Sequence, residues 1–272
     1  MPTAPLRILQ VNSLFTGGGV DNQTLTLAKG LQDLGEHVVL AIPSGTRYEA
    51  RAQAAGLSLA AIPARSWLKL SLVLQCASLI RRHRAQILHI HQGRDYWPCI
   101  LAAKLAGQGT RVVVTRHLMT RPRGLSRRFL LRCVDIIAVS QAVAAVLHAH
   151  LKGPASRIHQ IYCGTDFSAI SPVRTPAAVA FRERMGWPPA AVVFAVIGTF
   201  HPPLGKGQPE FLQAAAQLKE RYPQARFAII GHGEMEADLK RQIQESGLGA
   251  VAAVFPFEDQ IATCMSAIDV LV

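Results

Sequence analysis

The chain lacks any run of about 18 uncharged apolar residues, so no membrane-spanning helix is expected. Its start, Met1-Pro2-Thr3-Ala4-Pro5-Leu6-Arg7, has no apolar signal core before the first strand-like residues. The five cysteines, Cys76, Cys99, Cys133, Cys163 and Cys264, make neither a Cys-x-x-Cys pair nor a dense framework. That excludes a disulfide scaffold, leaves a structural metal without a motif, and suits reduced thiols in a cytoplasmic protein. No Walker lysine motif is present, and no Gly-x-Gly-x-x-Gly followed by a placed acid. Ser140 has no nucleophile elbow around it, which argues against a serine hydrolase. Prolines and glycines sit at segment edges without a low-complexity tail or an internal repeat, so disorder is a minor reading.

Acid is scarce in one half only. Residues 1–172 carry 20 Lys+Arg against 7 Asp+Glu, a net +13, and residues 173–272 carry 9 against 10, a net −1. Arg111, Arg116, Arg121, Arg123, Arg127, Arg128 and Arg132 crowd one stretch. Guanidinium groups there suit phosphates through paired hydrogen bonds, and a plain solvated basic face is the alternative. The stretch has no aromatic interleaving, zinc-finger spacing or recognition-helix motif, so a nucleic acid partner is not expected.

With 272 residues and half of them hydrophobic, the chain can bury two cores. Strands and helices alternate, the pattern of a parallel α/β sheet. Arg7 to Asn12 reads as a strand, Val20 to Leu34 as a helix with an inward stripe of Leu25, Leu27, Ala28, Leu31 and Leu34, closed by Gly35. Between them, Gly17-Gly18-Gly19 either lets backbone approach a ligand or simply makes a tight turn. His37 to Ile42 and Leu57 to Ile62 continue the strands. Trp67 to Arg84 reads as a helix that either packs on the sheet or rests on a membrane interface.

Strand ends mark the crevice of an open sheet. One is Ile87-Leu88-His89-Ile90-His91, followed by Arg94 and Asp95, which either position a polar acceptor or make a cap and a surface ion pair. His89 and His91 share strand spacing, but no third zinc ligand is signalled. A second is Val112 to Thr115, leading to Arg116 and His117. His117 suits alignment of a hydroxyl or general base work, and a histidine satisfied by a backbone carbonyl is the alternative. Ser140 reads as the N-cap of a helix from Gln141 to His150. Residues 168–190 read as a connection with a local helix signal at Ala177 to Met185. In the second unit, the strand Ala191 to Gly198 leads to a loop ending Gly205-Lys206-Gly207 and a helix from Pro209. Lys206 there is either an anion ligand beside a helix N-terminus or a solvated loop charge. Gly231-His232-Gly233-Glu234 makes another sharp turn after the strand Phe227 to Ile230.

Taken in order, Gly17-Gly18-Gly19, His89 through Asp95, Thr115-Arg116-His117, Asp135 through Ser140, Arg157 through Asp166, Gly205-Lys206-Gly207 and Gly231 through Glu234 resemble the retaining glycosyltransferase family 4, or group 1. Within that family the likeness leans toward bacterial members that build lipopolysaccharide core and related glycolipids. The resemblance implies an α/β chain of the GT-B fold, with two Rossmann-like doubly wound domains facing a cleft. Residues 1–172 would form the acceptor-side domain and 173–272 a partial nucleotide-sugar domain. It further implies transfer of a hexosyl unit from a nucleotide diphosphate sugar to a hydroxyl, with no cofactor and no metal. Gly18, Gly19, Lys206, Gly207, Gly233 and Glu234 would serve the donor, and His117 and Lys206 the chemistry. Arg94, Asp95, Arg116, Arg121 and Arg123 would bind a phosphorylated glycolipid or lipopolysaccharide core acceptor. A cytoplasmic location with contact at the inner-membrane surface accompanies this reading, and the oligomeric state is left open.

The sequence departs from the family in three places. Gly198-Thr199-Phe200 stands where many relatives carry an arginine, and Cys163-Gly164-Thr165-Asp166 where many carry asparagine before Gly-x-Asp. The later Glu-x7-Glu region, expected beyond Asp269-Val270-Leu271-Val272, does not occur in this sequence, so the second domain is expected to be incomplete. The competing expectation is therefore an impaired or non-catalytic carbohydrate- or nucleotide-binding protein of the same fold.

Overall fold

Short apolar strands alternating with longer helices build an all-parallel sheet in each half of the chain. The computed structural model describes residues 4–15, 18–63, 69–165, 174–202, 205–256 and 261–272. It divides into two units, Met1–Gly164 and Thr165–Val272. The domain boundary expected at 172/173 lies outside the described residues.

In the first unit the elements run β1 (Arg7–Val11), α1 (Gly19–Asp33), β2 (His37–Pro43), α2 (Arg47–Ala54), β3 (Ser58–Ile62), α3 (Lys69–His83) and β4 (Ile87–Ile90). They continue with α4 (Tyr96–Ala106), β5 (Arg111–Arg116), α5 (Gly124–Cys133), β6 (Asp135–Ala138), α6 (Gln141–His150) and β7 (Ile158–Gln160). The sheet order is β3-β2-β1-β4-β5-β6-β7. Strand order reverses between β1 and β4, where Ile8 pairs with Ile87 and Val11 with Ile90. The carboxyl ends of those two strands therefore open onto the crevice that such a reversal creates.

Helices α3 to α6 cover one face of this sheet, with Leu72, Ile80, Ile100, Leu130 and Leu147 packed over Leu9, Leu88, Val114 and Ile136. On the other face Leu25, Ala28, Tyr48 and Ala52 pack over Ile8, Val38 and Leu40. Each of the buried Leu, Ile and Val side chains among these contributes about 2 kcal/mol by leaving water. Leu34 does not join them: it caps α1, 80% exposed, because the helix ends at Asp33 and Gly35 turns the chain at φ +89°. In α3, Cys76, Ala77 and Ile80 are core, as ordinary packing requires, while Leu70 and Leu74 face outward. Trp67 lies outside the described residues. Ser140 is the expected cap, its hydroxyl accepting from the Val143 N–H at 3.2 Å.

The second unit contains α7 (Pro176–Arg184), β8 (Val192–Ile197), α8 (Gln208–Leu218), β9 (Ala225–Ile230), α9 (Glu236–Glu245), β10 (Ala252–Phe255), α10 (Ile261–Ala267) and β11 (Val270–Leu271). Its sheet order is β10-β9-β8-β11. Helix α7 is not connecting chain. Ala178, Phe181 and Met185 are buried against Val193, Cys264 and Ala267, so it is part of this unit's core. Buried Arg182 donates to the Ala267 carbonyl (2.9 Å) and to Asp269 (3.1 Å), and Asp269 accepts from Val193 N–H at 2.7 Å. Burial pushes the Asp269 carboxyl up, but the Val193 N–H and the Arg182 and Arg174 guanidiniums outweigh it and hold the group below its ordinary range. This network ties β11 to β8. Among the described residues no helix is long and apolar enough to cross a membrane.

Candidate functional site

In the first unit the site begins where β1 ends. Asn12 is fully buried, and its amide donates to Asp21 (3.2 Å) and Thr24 (3.3 Å) on α1. Asp21 in turn accepts from the Gly18 N–H at 3.3 Å, closing the helix N-terminus. That N–H is thus already engaged, which leaves Gly19, exposed at the first helical position, as the better placed of the two glycines. A Cβ at Gly18 or Gly19 would meet nothing within 4 Å. Neither residue has a positive φ, so internal sterics do not demand glycine there. Gly17 lies outside the described residues.

Asp95 is 1% exposed, and its carboxylate accepts from both the N–H (3.1 Å) and the hydroxyl (2.6 Å) of Ser13. It ties the loop after β4 to the loop after β1 and stands at the N-cap position of α4, buried and not in the surface ion pair expected. Arg94 is exposed beside it.

Three imidazoles gather at the same end of the sheet. His89 and His91 stack with ring centroids 4.5 Å apart, and His117 lies 6.1 Å from His91. His89 shares a 2.7 Å bond with Thr115, and His91 a 3.3 Å bond with Gln10. Burial, with the neighbouring His117, lowers the His89 pKa to about 4. Burial also holds His91 well below the ordinary value and lowers His117. All three rings are therefore neutral at physiological pH. His117 Nε2 is buried without a partner among the described residues, so the carbonyl-satisfied alternative gains no support at that atom. Among the described residues no group of three His, Cys, Asp or Glu is placed to hold a metal ion.

On the α3 to α6 face of the sheet a cavity of about 200 Å³ is lined by Tyr96, Val114, Arg116, Ser126, Leu130, Ile136 and Leu147, together with the exposed Arg121 and Arg123. Arg116 donates to the carbonyl and hydroxyl of Thr120, each at 2.5 Å, which aims the guanidinium along the strand end. Arg94, Arg121 and Arg123 are exposed.

In the second unit two turns interlock. Gly198 N–H donates to the Ile230 carbonyl (2.9 Å), Phe200 N–H to His232 (3.1 Å) and Met235 N–H to Phe200 (3.2 Å). A Cβ on Gly233 would lie 2.5 Å from the Phe200 carbonyl carbon, and one on Gly231 would lie 2.9 Å from that of Gly198. Gly233 therefore has a packing role whatever it binds. Gly205 and Gly207 take φ +58° and +87°, the left-handed region, and Gly207 caps α8. Between them Lys206 is exposed, its N–H held at 2.6 Å by buried Gln208, and its ammonium makes no ion pair among the described residues. Glu234 is not free: its carboxylate, 77% exposed, lies 3.4 Å from His201. Sequence reading missed Gln208, Ser13 and Gln10, whose burial has no local signature.

Comparison with known proteins accounts for both units. Residues 17–169 match the model described as Glycosyltransferase Family 4, and residues 180–272 match Glycosyl transferases group 1. A curated relative, 2-deoxystreptamine glucosyltransferase of Streptomyces kanamyceticus, is 27% identical over 98% of this chain and 73% of its own. A glycosyltransferase structure from Rickettsia africae superposes with TM-score 0.83 at 19% identity, covering 99% of this chain and 73% of that one. Anabaena HepE in complex with UDP and glucose gives TM-score 0.80 at 19% identity, covering 98% and 73%. Two Rossmann-like units, in the GT-B class of these structures, and two adjoining family matches lead to one assignment: the chain belongs to glycosyltransferase family 4, with a group 1 second unit.

Proposed function

We propose that the chain transfers a sugar from a nucleotide diphosphate donor to a hydroxyl of an anionic acceptor, with retention at the anomeric carbon. The observation that carries this reading is the second-unit loop, where Lys206 stands exposed and unpaired among the described residues at the capped start of α8. An ammonium beside a helix N-terminus suits the diphosphate on which charge accumulates as the glycosidic bond breaks. UDP is the first carrier to test, since HepE holds it. Lys206, Gly207 and Glu234 are the donor-side candidates, with Gly233 supporting the turn, and Gly19 with Gly18 the first-unit ones.

His117 faces the acceptor chemistry in this proposal. A neutral imidazole with a free Nε2 can receive or donate a hydrogen bond to a sugar or acceptor hydroxyl, which an imidazolium could only do as donor. Arg94, Arg116, Arg121 and Arg123 supply the anion contacts, and residues 1–172 with their net +13 form the acceptor side. An amine-bearing acceptor such as 2-deoxystreptamine would meet repulsion there, whereas a phosphorylated lipopolysaccharide core or related glycolipid would be drawn in. Exposed Leu118, Met119, Leu125 and Phe129 stand among these arginines, which supports contact with the cytoplasmic face of an inner membrane.

The test is sugar-nucleotide turnover with a phosphorylated glycolipid acceptor. His117→Ala should lower transfer by about 100-fold or more and leave nucleotide affinity unchanged. Equal transfer by the variant would refute its role, and nucleotide binding without any turnover would favour an impaired binding protein.

A further inference from the structure

The first-unit cavity has a cationic margin and an apolar floor, and the two together define a ligand more narrowly than charge alone. Arg116 lines it with its Nε buried and without a partner among the described residues. Such a donor needs an acceptor atom, and leaving it unmet costs about 1–3 kcal/mol. Arg121 and Arg123 stand at the margin, and α5 starts there at Gly124 with neither a side-chain cap nor an acid in its first turn. All of these favour an anion.

Deeper in, the walls are Val114, Leu130, Ile136 and Leu147. The polar groups among them are already engaged. Tyr96 donates its hydroxyl to the Thr115 carbonyl at 3.2 Å, and Ser126 accepts from Trp97 Nε1 at 3.0 Å. Sugar hydroxyls placed there would lose water and find only the remaining capacity of these two hydroxyls. The volume of about 200 Å³ compares with the roughly 150 Å³ engineered cavity that holds benzene.

We infer that this cavity binds a phosphate or carboxylate bonded directly to a compact apolar group, the anion on Arg116, Arg121 and Arg123 and the apolar group on the floor. This rests on the first unit being the acceptor side, and of the two acceptors proposed above it favours the glycolipid, whose charge can sit beside apolar carbon, over a core phosphorylated on its sugars. The apolar carbon can come from the first atoms of a lipid chain or from a soluble aromatic acid.

The whole chain is titrated with phenyl phosphate, methyl phosphate, glucose 1-phosphate and octyl phosphate, by calorimetry and by Trp97 fluorescence, and with UDP in parallel. Phenyl phosphate should bind about tenfold or more tighter than methyl phosphate or glucose 1-phosphate, from burial of its ring. Octyl phosphate, longer than the floor, should gain little over phenyl phosphate if the natural ligand is soluble, and much more if the cavity opens a path for a lipid chain. Both results keep the apolar-anion assignment and separate the sources. Arg121→Ala/Arg123→Ala, at exposed positions, should lose phenyl phosphate binding by about tenfold and retain UDP binding. Val114→Phe should remove the preference for phenyl over methyl phosphate. Equal affinity for phenyl phosphate and glucose 1-phosphate, or full binding by the double variant, overturns the inference while UDP binding stands. Loss of UDP binding in the wild-type chain would instead overturn the donor reading and leave the cavity to be judged on phenyl phosphate alone.

Discussion

Gly233→Ala should disrupt the two interlocked turns of the second unit by driving a methyl group into the backbone of Phe200. The new methyl carbon would sit 2.5 Å from the carbonyl carbon and 2.8 Å from the amide nitrogen of Phe200, with the carbonyl oxygen closer still. Ordinary carbon contacts lie near 3.5–4.0 Å, so backbone must retreat by about 1 Å. The obstacle is main chain, and no rotamer change relieves it. Retreat strains the Phe200 N–H bond to His232 (3.1 Å) and the Met235 N–H bond to Phe200 (3.2 Å), each worth about 1 kcal/mol. Overpacking adds about 1–3 kcal/mol, for a total loss of about 3–5 kcal/mol. An alanine that fitted would instead stabilise by about 0.4–1 kcal/mol through the unfolded chain, so even the sign is informative. Urea unfolding followed by Trp187, which packs edge-on to Phe255 at 5.3 Å, reports on this unit. A variant within about 0.5 kcal/mol of wild type would refute the interlocked-turn account.

Two further outcomes concern the first unit. The unfolded chain protonates its histidines near pH 6.5, while folded His89 waits until about 4. Its stabilising share is therefore present above 6.5 and is lost as pH falls through that window, about 2 kcal/mol between pH 7 and 5. Urea melts at both pH values should show His89→Gln losing less than wild type, and equal losses would show that His89 is not the acid-sensitive group. Gly18→Ala should leave stability within about 0.5 kcal/mol, since its Cβ meets open space, yet slow transfer if a donor or acceptor approaches that turn. Unchanged kinetics in the variant would remove Gly18 from the site.

Much of the fold is legible because a parallel sheet buried on both faces needs strands that are apolar throughout, as in Val112 to Val114 and Phe227 to Ile230. Capping chemistry is equally local, which is why Ser140 and Gly35 read true. Helix α4 shows no stripe because Pro98, Cys99, Ile100, Ala102 and Ala103 are buried round most of its circumference. In α5 the arginines mask the two residues, Leu130 and Leu131, that anchor it. Asp95 looked like a crevice acid because only tertiary structure reveals Ser13 beside it. His117 stood out through its position past a strand end and Lys206 through its place between two glycines before a helix, whereas the pairing of Glu234 with His201 depends on a loop geometry that spacing does not encode.

The most direct measurement is the affinity of UDP for wild type and Lys206→Ala. A charge-assisted contact to diphosphate is worth about 1.5–3 kcal/mol, so the variant should bind about 10- to 100-fold more weakly with its unfolding transition unchanged. Equal affinity in the two proteins would contradict the assignment of the second-unit loop as the donor's anion site.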